Sequence, residues 1–80
     1  MIKTVDGHSR QTVADRVTVA LVPKAAADLQ NTMERTSLSK TDIVNRAVSL
    51  YEYVDARLAA GDELLIRSSE TGQIEIIKLL

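Results

Sequence analysis

Arg16-Val17-Thr18-Val19-Ala20-Leu21 runs into Val22 and Pro23, and the reading of these eight residues decides how the rest of the chain is read. Val17, Val19 and Leu21 alternate with Arg16, Thr18 and Ala20. That period of two puts three apolar side chains on one face of a strand and the other three on the opposite face. Pro23 ends the strand, because it has no amide to give a ladder, and it suits the first turn of a helix. No strand-like run follows within the next forty residues. A lone strand is an exposed edge unless something pairs with it, and the cheapest partner is the same strand of a second copy. Two copies would make an antiparallel ribbon, with its apolar face on a helical core and its polar face free.

Two helical patterns follow at once. From Lys24 to about Arg35, Ala25, Ala26, Leu29 and Met33 recur at three- and four-residue spacing, the mark of an amphipathic helix. Thr36-Ser37-Leu38-Ser39 breaks the period. Ser39-Lys40-Thr41-Asp42 then matches a capping box: a hydroxyl for the third amide, and an acid three residues on that reaches back. A longer helix is expected from Lys40 to about Ala60, with Ile43, Val44, Ala47, Val48, Leu50, Tyr51, Val54 and Leu58 on a wide apolar face. Gly61 is its natural stop. Asp42 and Arg46 are one turn apart and are read as a structural ion pair. Tyr51 falls on the apolar side and is expected in the core, Tyr53 outside it.

Residues 63–80 return to a strand pattern. Glu63–Arg67 and Gln73–Leu80 flank Ser68-Ser69-Glu70-Thr71-Gly72, a β-hairpin with glycine where positive φ is wanted. The doublets Ile76-Ile77 and Leu79-Leu80 break strict alternation, so either both faces are partly covered or a bulge lies there. The hairpin is expected to pack on the long helix, since isolated hairpins are marginal. Upstream, residues 1–15 are polar without a period and read as a flexible arm. The expected organisation is an arm (1–15), a β-α-α domain (16–60) and a C-terminal hairpin extension (61–80), mainly α with short β.

The totals point the same way. Eighty residues allow one small domain, and without cysteine there is no disulfide to staple it. The lone histidine, His8, with no cysteine beside it, is no metal site, so neither metal nor cofactor is expected. Oligomerisation is the remaining common remedy for a small core. The net charge of −1 by itself argues against a general polyanion binder. The charge is uneven, though: residues 1–48 carry +2 and residues 49–80 carry −3. No apolar run approaches the roughly 20 residues that span a membrane, and the first residues lack a signal-peptide pattern, so a cytoplasmic location is expected. No nucleophile–base set, phosphate loop or pair of carboxylates in a pocket is legible, so an enzyme is not expected. Two aromatics give no stacking platform for single strands.

Strand, proline, short helix, serine-capped turn and long helix, in this order and at these lengths, resemble the ribbon-helix-helix family of MetJ-, Arc- and CopG-like DNA-binding proteins. The matching residues are Arg16–Leu21, Leu29, Met33, and Leu38-Ser-Lys-Thr-Asp-Ile-Val-Asn-Arg-Ala-Val-Ser-Leu-Tyr51. The resemblance implies an intertwined homodimer that reads a double-stranded operator in the major groove with the ribbon. Arg16, Thr18 and Ala20 would touch base edges. Lys24, Ser39 and Lys40 would meet phosphates, the last two through a helix N-terminus. Val17, Val19, Leu21, Leu29, Met33, Ile43, Ala47, Val48, Tyr51 and Val54 would form a core shared between chains. Two positions depart from the family pattern: Ala20, where a polar residue is usual, and Ser37, where many members have glycine.

The implied function is transcriptional repression or autoregulation in a bacterial, phage or plasmid setting. The protein would be associated with the nucleoid through DNA, with more than one dimer able to bind side by side. Two other readings stand beside it. One is an antitoxin with the same DNA-binding core. The other is a dimeric protein-interaction module that binds no DNA, with a protein partner held by the hairpin. The plain alternative for Arg16 and Thr18 is a solvated strand face, and for Ser39 and Lys40 a simple helix cap.

Overall fold

A computed structural model describes residues 12–79. The expected arm therefore lies outside the described residues over 1–11, with His8 in it, and so does Leu80. The element order is α1 (Pro23–Thr36), α2 (Lys40–Ala59), β1 (Leu64–Arg67) and β2 (Ile74–Ile77). The protein is thus mainly helical, with one short two-stranded antiparallel sheet. The chain divides into two compact units between Ser49 and Leu50, along the course of α2.

Pro23 opens α1 after an extended Val22 (φ −68°, ψ 158°), and no side chain caps that end. The missing proline amide would have been unpaired there in any case. The helix stops at Ser37, whose φ of 62° is left-handed and whose amide donates to the Met33 carbonyl at 2.8 Å. This single bond from the C′ amide is the simple left-handed stop. Thr36 completes it: its hydroxyl donates to the Thr32 carbonyl at 2.6 Å and accepts the Leu38 amide at 3.2 Å. Ser37 is the only non-glycine residue with positive φ among the described residues, and an L side chain pays for that conformation.

Two residues later α2 begins on Ser39. The Ser39 hydroxyl accepts the Asp42 amide at 3.1 Å, and the Ser39 carbonyl accepts the Ile43 amide at 3.0 Å. The carboxylate half of the expected capping box is not made. Aspartate is one methylene shorter than the glutamate or glutamine that usually closes it. The expected pair between Asp42 and Arg46 is also not made among the described residues. Such pairs add only a few tenths of a kcal/mol in an exposed helix, too little to hold two side chains together.

The far end of α2 closes as a Schellman motif. The Gly61 amide donates to the Leu58 carbonyl at 3.0 Å and the Asp62 amide to the Arg57 carbonyl at 3.0 Å. Gly61 has φ +96°, and a Cβ placed there would meet nothing within 4 Å. The requirement for glycine is therefore conformational. Arg57 Nε adds an exposed bond to Asp62 Oδ2 at 2.6 Å across the same turn.

In the hairpin, Leu64 faces Ile77, Leu65 faces Ile76, Ile66 faces Glu75 and Arg67 faces Ile74. The register runs through these four pairs without a bulge, so the Ile76-Ile77 doublet places an isoleucine on each face. Ser68 closes the loop. Its amide donates to Gln73 O at 2.8 Å, its carbonyl accepts the Gly72 amide at 2.9 Å, and its hydroxyl accepts the Glu70 and Thr71 amides at 3.2 and 3.3 Å. Gly72 has φ +77°, as the turn requires.

Among the described residues only Val54 is buried, at 7 % exposure. Leu58, Leu64 and Ile77 are half-buried, and Leu64 lines a shallow groove with Val54 and Leu58. The hairpin therefore meets the last turns of α2, as a marginal two-stranded sheet must meet something.

Two backbone predictions follow from the helix stops. Ser37→Gly should raise the free energy of unfolding by about 1 kcal/mol, since relief of left-handed strain outweighs the added freedom of the unfolded chain. Urea titration would show a higher midpoint at unchanged slope. Gly61→Ala should lower stability by about 1–2 kcal/mol through strain alone, and the same titration reads it.

Candidate nucleic-acid interface

Residues 12–22 carry no helix or strand within this chain, and every one of them is exposed. Arg16–Leu21 has no ladder partner among the described residues. The three apolar side chains of this segment stand open: Val17 at 72 %, Val19 at 65 % and Leu21 at 46 % exposure. Arg16, Thr18 and Ala20 are exposed as well.

The residues expected at phosphates open the two helices. Lys24 follows Pro23 in the first turn of α1, and its Nζ lies 2.8 Å from Asp28 Oδ2 in an exposed pair one turn along. An exposed pair of this kind is weak, so Lys24 loses little by turning to another anion. Ser39 and Lys40 open α2 and are exposed. The Ser39 hydroxyl takes the Asp42 amide, which leaves the first-turn amides of Lys40 and Thr41 without an acceptor among the described residues. Free amides, the positive end of the helix dipole and a lysine are the donors a phosphate oxygen needs. The Asp42 carboxylate in the same turn subtracts from that charge. The 14 residues of α1 separate the two helix starts by about 21 Å along its axis.

The expected shared core is divided within the single chain. Val54 is buried, and Leu29, Met33 and Ile43 are half-buried. Val17, Val19, Leu21, Ala47, Val48 and Tyr51 are exposed, Val48 at 64 % and Tyr51 at 56 %. Tyr53, expected outside the core, is half-buried, and Tyr51 is exposed within the single chain. Tyr53 lines the groove with Arg57, Asp62 and Leu64, where β1 turns back beside α2. Periodicity within α2 could not foresee that, because the cover comes from the hairpin. Arg57 is held above its ordinary pKa by the hydrogen bond to Asp62, then by the charges of Asp62 and Tyr53. An always-charged guanidinium used in this way braces a turn and leaves no group to titrate near neutrality.

Among the described residues no group of three or more His, Cys, Asp or Glu could hold a metal ion, and no helix is long and apolar enough to cross a membrane. Compared with protein-family models, curated proteins and solved structures, the chain matches none.

Ser39→Ala should cost about 1 kcal/mol of stability by leaving the Asp42 amide uncapped, whether or not a phosphate ever binds there. Thermal unfolding without nucleic acid measures this. Lys40→Ala under the same conditions should change stability by less than about 0.5 kcal/mol, because an exposed lysine whose side chain makes no cap bond contributes little.

Proposed function

We propose that the chain is a sequence-specific double-stranded DNA-binding regulator, acting as an intertwined ribbon-helix-helix homodimer. One observation carries the reading. A segment that alternates apolar and polar residues ends on a proline that starts a helix, yet it has no ladder partner among the described residues and leaves Val17, Val19 and Leu21 open to solvent. A second copy supplies both missing parts at once: the other strand of the ladder, and the cover for this apolar row and for Val48 and Tyr51.

In the proposed dimer the paired strands lay Arg16, Thr18 and Ala20 of each copy along the major groove. The arginine fork pairs with guanine O6 and N7, the threonine hydroxyl with a base edge, and the Ala20 methyl with thymine. Ser39 and Lys40 hold a phosphate on the open amides of α2, and Lys24 adds a point charge at the start of α1. The two kinds of contact divide the work: the helix starts set register and the ribbon reads sequence. The basic excess of residues 1–48 favours this end of the chain for the polyanion. Repression or autoregulation follows from occupancy of an operator with two-fold repeats.

The test is a titration of the full chain on its own upstream DNA, with unrelated DNA as competitor, at two salt concentrations. Arg16→Ala should lose about 1–3 kcal/mol on the operator and almost nothing on scrambled DNA. Lys40→Ala should weaken both equally and flatten the salt dependence. Wild-type binding that competitor removes completely would sink the specific reading.

A further inference from the structure

The hairpin has a second exposed apolar surface that the DNA-binding reading does not use. By the alternation of strand side chains, Leu64, Ile66, Glu75 and Ile77 share one face, and Leu65, Arg67, Ile74 and Ile76 share the other. The first face carries the half-buried Leu64 and Ile77. The second is open, with Leu65 at 49 %, Ile74 at 58 % and Ile76 at 50 % exposure. Among the described residues the sheet has two strands, so β1 and β2 each present an edge with no partner among them.

The backbone of β1 says which groups point outward. The Ser68 amide donates across the sheet to Gln73, so by the alternation of an antiparallel ladder the amides and carbonyls of Leu64 and Ile66 also turn toward β2. Those of Leu65 and Arg67 turn away from it, to the open edge. We propose that this edge pairs with the same edge of a second copy of this chain, antiparallel about a two-fold axis at Leu65, giving a four-stranded sheet β2-β1-β1-β2.

Charge sets the register. With Leu65 opposite its own copy, Glu63 stands opposite Arg67 of the other chain, and Arg67 opposite the other chain's Glu63. Both residues are exposed, and neither is in an ion pair among the described residues. Both lie on the face that carries Leu65, and opposite charges directly across strands stabilise the pair. The same register uses the outward groups of Leu65 and Arg67 for the new hydrogen bonds. The free edge of β2 offers no such match: its outward residues Ile74 and Ile76, paired about Ile76, would set Ile74 against Lys78. A four-stranded sheet would add to the support that the hairpin takes from the last turns of α2, since a two-stranded sheet is marginal by itself. The surface is separate from the ribbon of residues 16–21, so the DNA-binding reading can fail while this one stands.

Cysteine cross-linking of the full chain without DNA tests the pairing, because the natural sequence has no cysteine. In a hydrogen-bonded antiparallel pair the two Cα atoms lie about 5.5 Å apart, within disulfide reach. Leu65→Cys should oxidise to a two-chain product at least tenfold faster than Ile74→Cys, which is somewhat more exposed but on the other strand. Adding Glu63→Arg to Leu65→Cys should slow cross-linking severalfold, and Glu63→Arg with Arg67→Glu should restore it. Circular dichroism confirms that each variant keeps its helices. Equal rates for Leu65→Cys and Ile74→Cys, or no product from folded Leu65→Cys, would overturn the proposal, as would failure of the double reversal to restore the rate.

Discussion

Every buried or apolar-flanked stretch of backbone must find partners for its amides and carbonyls, and this chain meets that demand very unevenly. From Pro23 to Ile77 the demand is met mostly within each element, apart from the first-turn amides of Lys40 and Thr41 and the outer edges of the hairpin. Helix bonds, two left-handed stops, a serine cap and a six-residue loop close each element on itself. From Thr12 to Leu21 the backbone makes no hydrogen bond among the described residues. The rest of the molecule follows from this contrast. Elements that need only neighbours in sequence are formed in one chain, and elements that need a distant partner are not. Side-chain burial is sparse throughout, with Val54 alone buried among the described residues.

This division explains which features were legible in the sequence. Pro23, Ser39 and Gly61 each act within a few residues, and each helix end falls within a residue of where these signals put it. Gly72 and the serine at the head of the loop do the same for the hairpin. What failed depended on fine reach or on cover from elsewhere. Asp42 has the right charge but is too short to close its box. Tyr53 becomes half-buried because β1 returns beside the last turns of α2, which a helical wheel drawn on α2 alone does not contain. The left-handed Ser37 had a trace in the sequence: it sits where a glycine would be the easier residue.

For the candidate interface, the sequence named the residue types and the structure adds their situation. Arg16 and Thr18 are exposed on a segment without a ladder, Lys24 is weakly engaged by Asp28, and Ser39 presents a helix start with unpaired amides. Their convergence on one ligand needs the second chain of the proposed dimer. A groove reader and a plain exposed strand differ here only in what stands opposite them.

The αL stop at Ser37 and the cap at Ser39 have a further consequence, which concerns time. Both are closed by bonds spanning four residues or fewer, with Leu38 alone between them. Helices relax in about a microsecond and hairpins form in roughly 1–10 μs, because little loop entropy is lost in closing them. Formation of the corner and the hairpin is therefore unimolecular and independent of how much protein is present. Any cover for Val17, Val19, Val48 or Tyr51 that comes from another molecule waits on an encounter, and its rate scales with concentration. A newly made chain would hold its helices and its turns well before it held a core.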